Sequence, residues 1–123
     1  VSAGLQSVCY QTKDLQKAME QDGLRPKVLR VDGGMAVNDW FLSYLANILG
    51  AEVARPTWVE TSALGVAYLA GLQANIYQSL HQLEQMWQCD QRFKPNIDKQ
   101  FRDHLYPGWL AAVAKVQTLP EQA

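Results

Sequence analysis

Val31-Asp32-Gly33-Gly34-Met35-Ala36-Val37-Asn38 is the stretch that decides how this chain reads. Just before it, Val28-Leu29-Arg30-Val31 is short, apolar and β-branched, the composition of a strand. Asp32-Gly33-Gly34 breaks that strand. After it, Trp40, Phe41, Tyr44, Leu45, Ile48 and Leu49 form adjacent rows at helical spacing. They predict a helix from about Ala36 to Leu49, closed by Gly50. Strand, glycines and helix in that order suit a phosphate. Glycine lets backbone N–H groups approach without a Cβ in the way, and a helix N-terminus carries unpaired donors and partial positive charge. Taken alone the pattern is weak, being neither GxGxxG nor a P-loop. A Gly-Gly pair after a strand also serves as a plain tight turn. Asp32 fits a turn former, and Asn38 fits a first-turn residue bonded to local backbone. Asn38 also falls on the Leu45 side of the helical wheel, where a polar group needs a buried partner or a ligand.

Working outward, Leu5, Val8, Thr12, Leu15 and Met19, widened by Cys9 and Ala18, predict an amphipathic helix with one buried face. Gly23 ends it and Pro26 prevents its resumption. Beyond Gly50, Glu52-Val53-Ala54-Arg55 reads as a short strand closed by Pro56. A third helix is expected from about Ser62 to Ala74. It is rich in small residues (Ala63, Gly65, Ala67, Ala70, Gly71), which points to close packing against a sheet. Helix–strand–helix–strand–helix places the chain in the α/β class, with parallel pairing across the crossover. A two-stranded parallel sheet is poor, so further strands are expected from elsewhere.

The sequence divides into residues 1–75 and a tail, residues 76–123, that reads as mainly helical. In the tail, Arg92-Phe93-Lys94-Pro95 reads as an extended link. Helical pattern runs from Asp98 to Leu105, breaks at Pro107-Gly108 and resumes at Trp109–Val116. The end, Leu119 to Ala123, reads as frayed.

Composition narrows the function classes. The chain has 123 residues, 48% hydrophobic and 19% charged, with net charge −1. That balance fits one globular domain rather than disorder, and the scattered Lys and Arg residues give no nucleic-acid footprint. No apolar run reaches the roughly 18 residues of a membrane span. No signal peptide is read at the N-terminus. Cys9 and Cys89 lack ligand spacing and read as idle thiols of a reducing, cytoplasmic compartment. The start at Val1, directly into an amphipathic pattern, reads as a cleaved or excised piece.

A wider set of residues carries a family resemblance. Leu29-Arg30-Val31-Asp32-Gly33-Gly34, Asn38, Ile48-Leu49-Gly50, Val53, Arg55-Pro56, Glu60, Ala63-Leu64-Gly65 and Ala67-Tyr68-Leu69-Ala70-Gly71-Leu72 together resemble the glycerol-kinase branch of the FGGY carbohydrate kinases. Tyr10-Gln11-Thr12, Phe93, Pro95 and Gly108-Trp109 also fit. The resemblance implies part of an actin-like, ribonuclease H-like ATPase domain. It implies ATP or ADP with Mg2+ as cofactor. Gly34 would approach the phosphate and ribose region, Gly33 would shape the same turn, and Asn38 would lie near the adenine. It also implies that the glycerol pocket, the catalytic aspartate and the metal-binding carboxylates lie upstream of this segment. The chain then holds no catalytic or metal-ligating residue of its own and needs an N-terminal part as partner. Asp32 and Glu60 are the only carboxylates near the relevant loops, and His81 and His104 read as surface residues. Two alternatives stay open: an inert fragment that self-associates through an unpaired sheet edge, and part of another FGGY sugar kinase.

Overall fold

The computed structural model describes residues 1–117; the terminal segment expected to fray lies outside the described residues. The elements in order are α1 (Ser2–Gln21), β1 (Val28–Arg30), a 3-10 turn (Gly34–Val37), α2 (Asp39–Leu49), β2 (Glu52–Pro56), α3 (Thr61–Gln73), α4 (Leu80–Gln85), β3 (Cys89–Phe93) and α5 (Lys99–Gln117). The sheet order is β1-β2-β3. β1 pairs parallel with β2, Leu29 opposite Val53, and β2 pairs antiparallel with β3, Val53 opposite Phe93. The class is α/β, as the helix–strand alternation predicts.

The core forms where α1 and α2 meet the sheet. Cys9, Phe41, Leu42, Leu45, Ala46, Ile48, Leu49, Val53 and Phe93 make one buried cluster. Burial raises the Cys9 thiol to about 12, so it is an inert packing group. α1 begins as the stripe predicts, with Leu5 and Val8 against the core. Its second half does not: Leu15 and Met19 are 63% and 46% exposed. Gly23, at φ +85, ends the helix, and the Leu24 N–H returns to the Met19 carbonyl at 2.9 Å.

The tail departs from expectation twice. The extended link expected at residues 92–95 begins earlier and is in part a strand: Cys89–Phe93 pairs antiparallel with β2 and ties the tail into the same sheet. Pro107 also does not interrupt α5, which runs through it. A proline inside a helix removes one hydrogen bond and crowds the carbonyl four residues back. Here tertiary anchors bracket it. The Tyr106 hydroxyl and the Trp109 indole N–H both donate to the Asp14 carboxylate, the latter at 2.8 Å. Lys17 lies over the Tyr106 ring, and Tyr10 stacks on Trp109. Burial, then the Asp14 bond, pushes the Tyr106 hydroxyl up to about 12.

Asp14 is therefore the hinge-pin between α1 and α5. Asp14→Ala should cost about 1–3 kcal/mol, because it strands two part-buried donors. Urea unfolding measures this. A change under about 0.5 kcal/mol, the range of ordinary surface substitutions, would mean that α5 is held by something else.

The small-residue helix α3 shows the largest difference. It does not press its glycines and alanines onto the sheet of this chain. Val66 and Leu69 are 68% and 65% exposed, and Gly71 is its one buried residue, in contact with Tyr77. A helix apolar on all sides belongs in an interior.

Candidate nucleotide-facing turn

The turn after β1 is held from three directions. The Val31 N–H continues the strand pairing to the Ala54 carbonyl at 3.1 Å. The Asp32 carboxylate accepts from the hydroxyl of Thr61, the first residue of α3. The Gly33 N–H donates to the Val59 carbonyl at 3.1 Å. Gly33 sits at φ +83, which a residue with a Cβ rarely adopts. That backbone conformation alone accounts for glycine there.

Gly34 is different. Its φ is ordinary, and a Cβ built on it would meet no atom within 4 Å. Neither backbone strain nor packing within this chain requires glycine at this exposed position.

The helix expected from Ala36 starts later. Gly34–Val37 is a 3-10 turn, with the Ala36 N–H bonded to the Gly33 carbonyl at 3.0 Å. Asn38 then leaves the helical conformation and caps α2, its Oδ1 accepting from the Phe41 N–H at 3.0 Å. An asparagine oxygen satisfies a first-turn donor well, so the cap fixes the helix start. Asp39 adds a carboxylate in the first turn, where the helix dipole favours it. The α2 terminus is thus already served by its own side chains. What the turn presents outward is the Gly34 backbone and the Asn38 amide. With Oδ1 committed to the cap, the Asn38 NH2 group keeps its donors. Asn38 is exposed rather than turned into the apolar face, and it lines an open hollow of about 390 Å3 with Leu5 and Trp40.

Gly33, Gly34 and Asn38 therefore share one turn at the carboxyl end of β1, the end at which open α/β sheets bind ligands. The sequence reading left out the residue that secures this turn. Arg55 of β2 reaches the Ala36 carbonyl at 3.1 Å and Asp39 at 2.7 Å with one nitrogen, and Asp90 and Gln91 of β3 with the others. A guanidinium beside buried Val53, Ala54 and Pro56 was the available signal, because a charge in such a run demands partners.

The other prominent concavity is apolar. A groove of about 430 Å3 lies between α3, α4 and the end of β2, lined by Trp58, Leu64, Tyr68, Leu69, Leu83 and Trp87. His81 and His104 are exposed, the former beside Gln85 and Glu84. Among the described residues, no group of three or more His, Cys, Asp and Glu is placed to hold a metal ion.

Comparison with known proteins shows the family from which this segment comes. Residues 1–74 match the C-terminal domain of the FGGY family of carbohydrate kinases. This chain belongs to that family. It is 59% identical to a glycerol kinase of Alteromonas mediterranea over 95% of its length, and 52% identical to glycerol kinase 1 of Pseudomonas aeruginosa over 96%. It spans 24% of each of those relatives. The Plasmodium falciparum glycerol kinase with ADP superposes on 95% of the chain with TM-score 0.78 and 28% identity, the chain covering 23% of that structure. A gluconate kinase from Lactobacillus acidophilus shares the fold alone, with TM-score 0.72 at 17% identity. The α/β arrangement is accordingly a segment of the actin-like ATPase fold of FGGY kinases.

Proposed function

We propose that this chain is the C-terminal, nucleotide-binding part of an ATP:glycerol 3-phosphotransferase, which converts glycerol to glycerol 3-phosphate. The observation that carries this reading is 52–59% identity to glycerol kinases across nearly the whole chain. Gly33, Gly34 and Asn38 lie against the nucleotide. Gly34 supports that placement because its missing Cβ has no use inside the chain, whereas a phosphate or ribose at its backbone would need the space. Asn38 suits an adenine edge, since its amide donors remain after the cap is made. The turn therefore fits the group. When bound, ATP supplies the phosphoryl group, and Mg2+ offsets the charge that builds on its oxygens. This chain's part is to seat the nucleotide. The catalytic carboxylate, the metal ligands and the glycerol pocket belong to the upstream part, and the chain alone is inactive.

Most of the relatives' length lies outside this chain. The upstream part packs on the β1 edge, the exposed apolar side of α3 and the Trp58–Leu69 groove, which together offer a strand edge and apolar area. A cytoplasmic setting accords with the two free cysteines.

Mixing the chain with the upstream part, and assaying glycerol against xylulose, tests the activity. Glycerol phosphorylation absent from either part alone is the expected outcome. Preference for xylulose would make the protein another FGGY sugar kinase. Inactivity of the mixture, with concentration-dependent dimers of the folded chain in size-exclusion chromatography, would favour the self-associating fragment. MgADP titration followed by tryptophan fluorescence reads the turn directly, because Trp40 is half-exposed and borders the Asn38 hollow.

A further inference from the structure

We infer that Arg55 is the positioning residue of the nucleotide-facing turn, holding Ala36 and Asp39 so that Gly34 and Asn38 keep their places. The inference rests on the nucleotide reading above. Its basis is the arrangement of one side chain. Arg55 is rooted in β2 and is only 13% exposed. Nη1 donates to the Ala36 carbonyl at 3.1 Å and to Asp39 Oδ1 at 2.7 Å. Nε donates to Asp90 Oδ2 at 2.8 Å, and Nη2 to Gln91 Oε1 at 3.1 Å. The guanidinium also lies over the Phe93 ring.

The partners divide into two sets with different jobs. Asp90 and Gln91 belong to β3 and aim the guanidinium. Ala36 and Asp39 belong to the turn and to α2, and they receive it. The last carbonyls of any helical turn lack an intrahelical donor. Arg55 supplies that donor to the 3-10 turn through Ala36, which is buried at 2%. The same nitrogen holds the first residue of α2. One rigid fork thus spans the junction at which the 3-10 turn ends, Asn38 caps and α2 begins. Gly34 lies two residues before Ala36, and Asn38 lies between Ala36 and Asp39. A small rotation of that junction moves both. Arginine is suited to this because its donors sit in a fixed plane, which lysine cannot reproduce.

A purely structural role predicts something else. Asp39 and Asp90 are 63% and 47% exposed, so water takes over both carboxylates when Arg55 is truncated. The Ala36 carbonyl alone loses a donor that water does not readily replace, so the fold is weakened locally but survives, and the main loss falls on the geometry of the turn.

The experiment uses the whole kinase that contains this chain, with Arg55→Ala, Arg55→Lys, Asp39→Asn and Gly34→Val compared at a temperature where all are folded. Arg55→Ala should raise the KM for ATP and the Kd for MgADP roughly tenfold, the scale of a lost charge-assisted hydrogen bond. The KM for glycerol should stay unchanged. Arg55→Lys should recover part of the loss, and Asp39→Asn should show a smaller rise of the same kind. Unfolded enzyme lowers kcat without moving either KM, so the split separates positioning from stability. If Gly34→Val raises the KM for ATP and Arg55→Ala does not, Arg55 has no positioning role. If neither moves it, the nucleotide reading itself is overturned.

Discussion

Replacing Leu42 with alanine is expected to cost about 3–5 kcal/mol, the upper range for a buried leucine. Leu42 is fully buried within the cluster joining α1, α2 and the sheet. Truncation there opens a cavity in that cluster, whose remaining members are fixed by helix and sheet and close over it only in part. Against a typical total of about 5–15 kcal/mol, the chain would lose much of its stability, visible as a lower urea midpoint. Leu69→Ala makes the contrast. In the chain alone it should stay within about 0.5 kcal/mol, because Leu69 is 65% exposed. In the whole kinase it should cost about 2 kcal/mol or more, the value for a covered leucine. Equal, small effects in both settings would mean that α3 stays uncovered. A Leu42→Ala loss below about 1 kcal/mol, smaller than any ordinary buried leucine gives, would contradict the packing of α2 on the sheet.

The same residues show what was readable in the sequence. The α2 rows were legible at Phe41, Leu45, Ile48 and Leu49, all buried, since helical spacing is a local property. Trp40 belonged to those rows yet is 47% exposed, while Leu42, outside them, is fully buried. Periodicity marks a stripe; the partner surface decides its edges. β3 was legible only as an extended link around Arg92-Phe93, because Asp90, Gln91 and Arg92 show no apolar alternation and Phe93 is its one buried residue. Such a strand forms because β2 offers it hydrogen bonds, which no local pattern records. The unbroken α5 has the same cause, as Asp14 lies 92 and 95 residues from the side chains that steady it. Gly33, Gly34 and Asn38 were legible as a turn through their chemistry, but the cap at Asn38 displaced the helix start by three residues, from Ala36 to Asp39. Arg55 stayed out of view because its partners lie between 16 and 36 residues away, on three separate elements.

Gly34→Val should raise the KM for ATP in the whole kinase by about tenfold or more, equivalent to at least ~1.4 kcal/mol of lost nucleotide binding, with the KM for glycerol unmoved. The neighbouring glycine is the control. Gly33→Ala forces a Cβ onto a backbone at φ +83 and ψ 178, which costs about 1–3 kcal/mol whatever is bound. It should therefore lower the urea midpoint of the chain on its own. Gly34 has an ordinary φ and open space around its would-be Cβ, so Gly34→Ala should leave that midpoint unchanged or raise it slightly. The valine methyls then project only into the volume assigned to the nucleotide. Two adjacent glycines should fail by different routes, one through the fold and one through the ligand. Should Gly34→Val destabilise the chain as Gly33→Ala does, the pair would be a tight turn and nothing more. Should it leave both stability and the KM for ATP untouched, the nucleotide would have to sit elsewhere on the domain. The predicted pairing, a stable chain with a weakened nucleotide site, follows only if the space beside Gly34 is filled by the ligand.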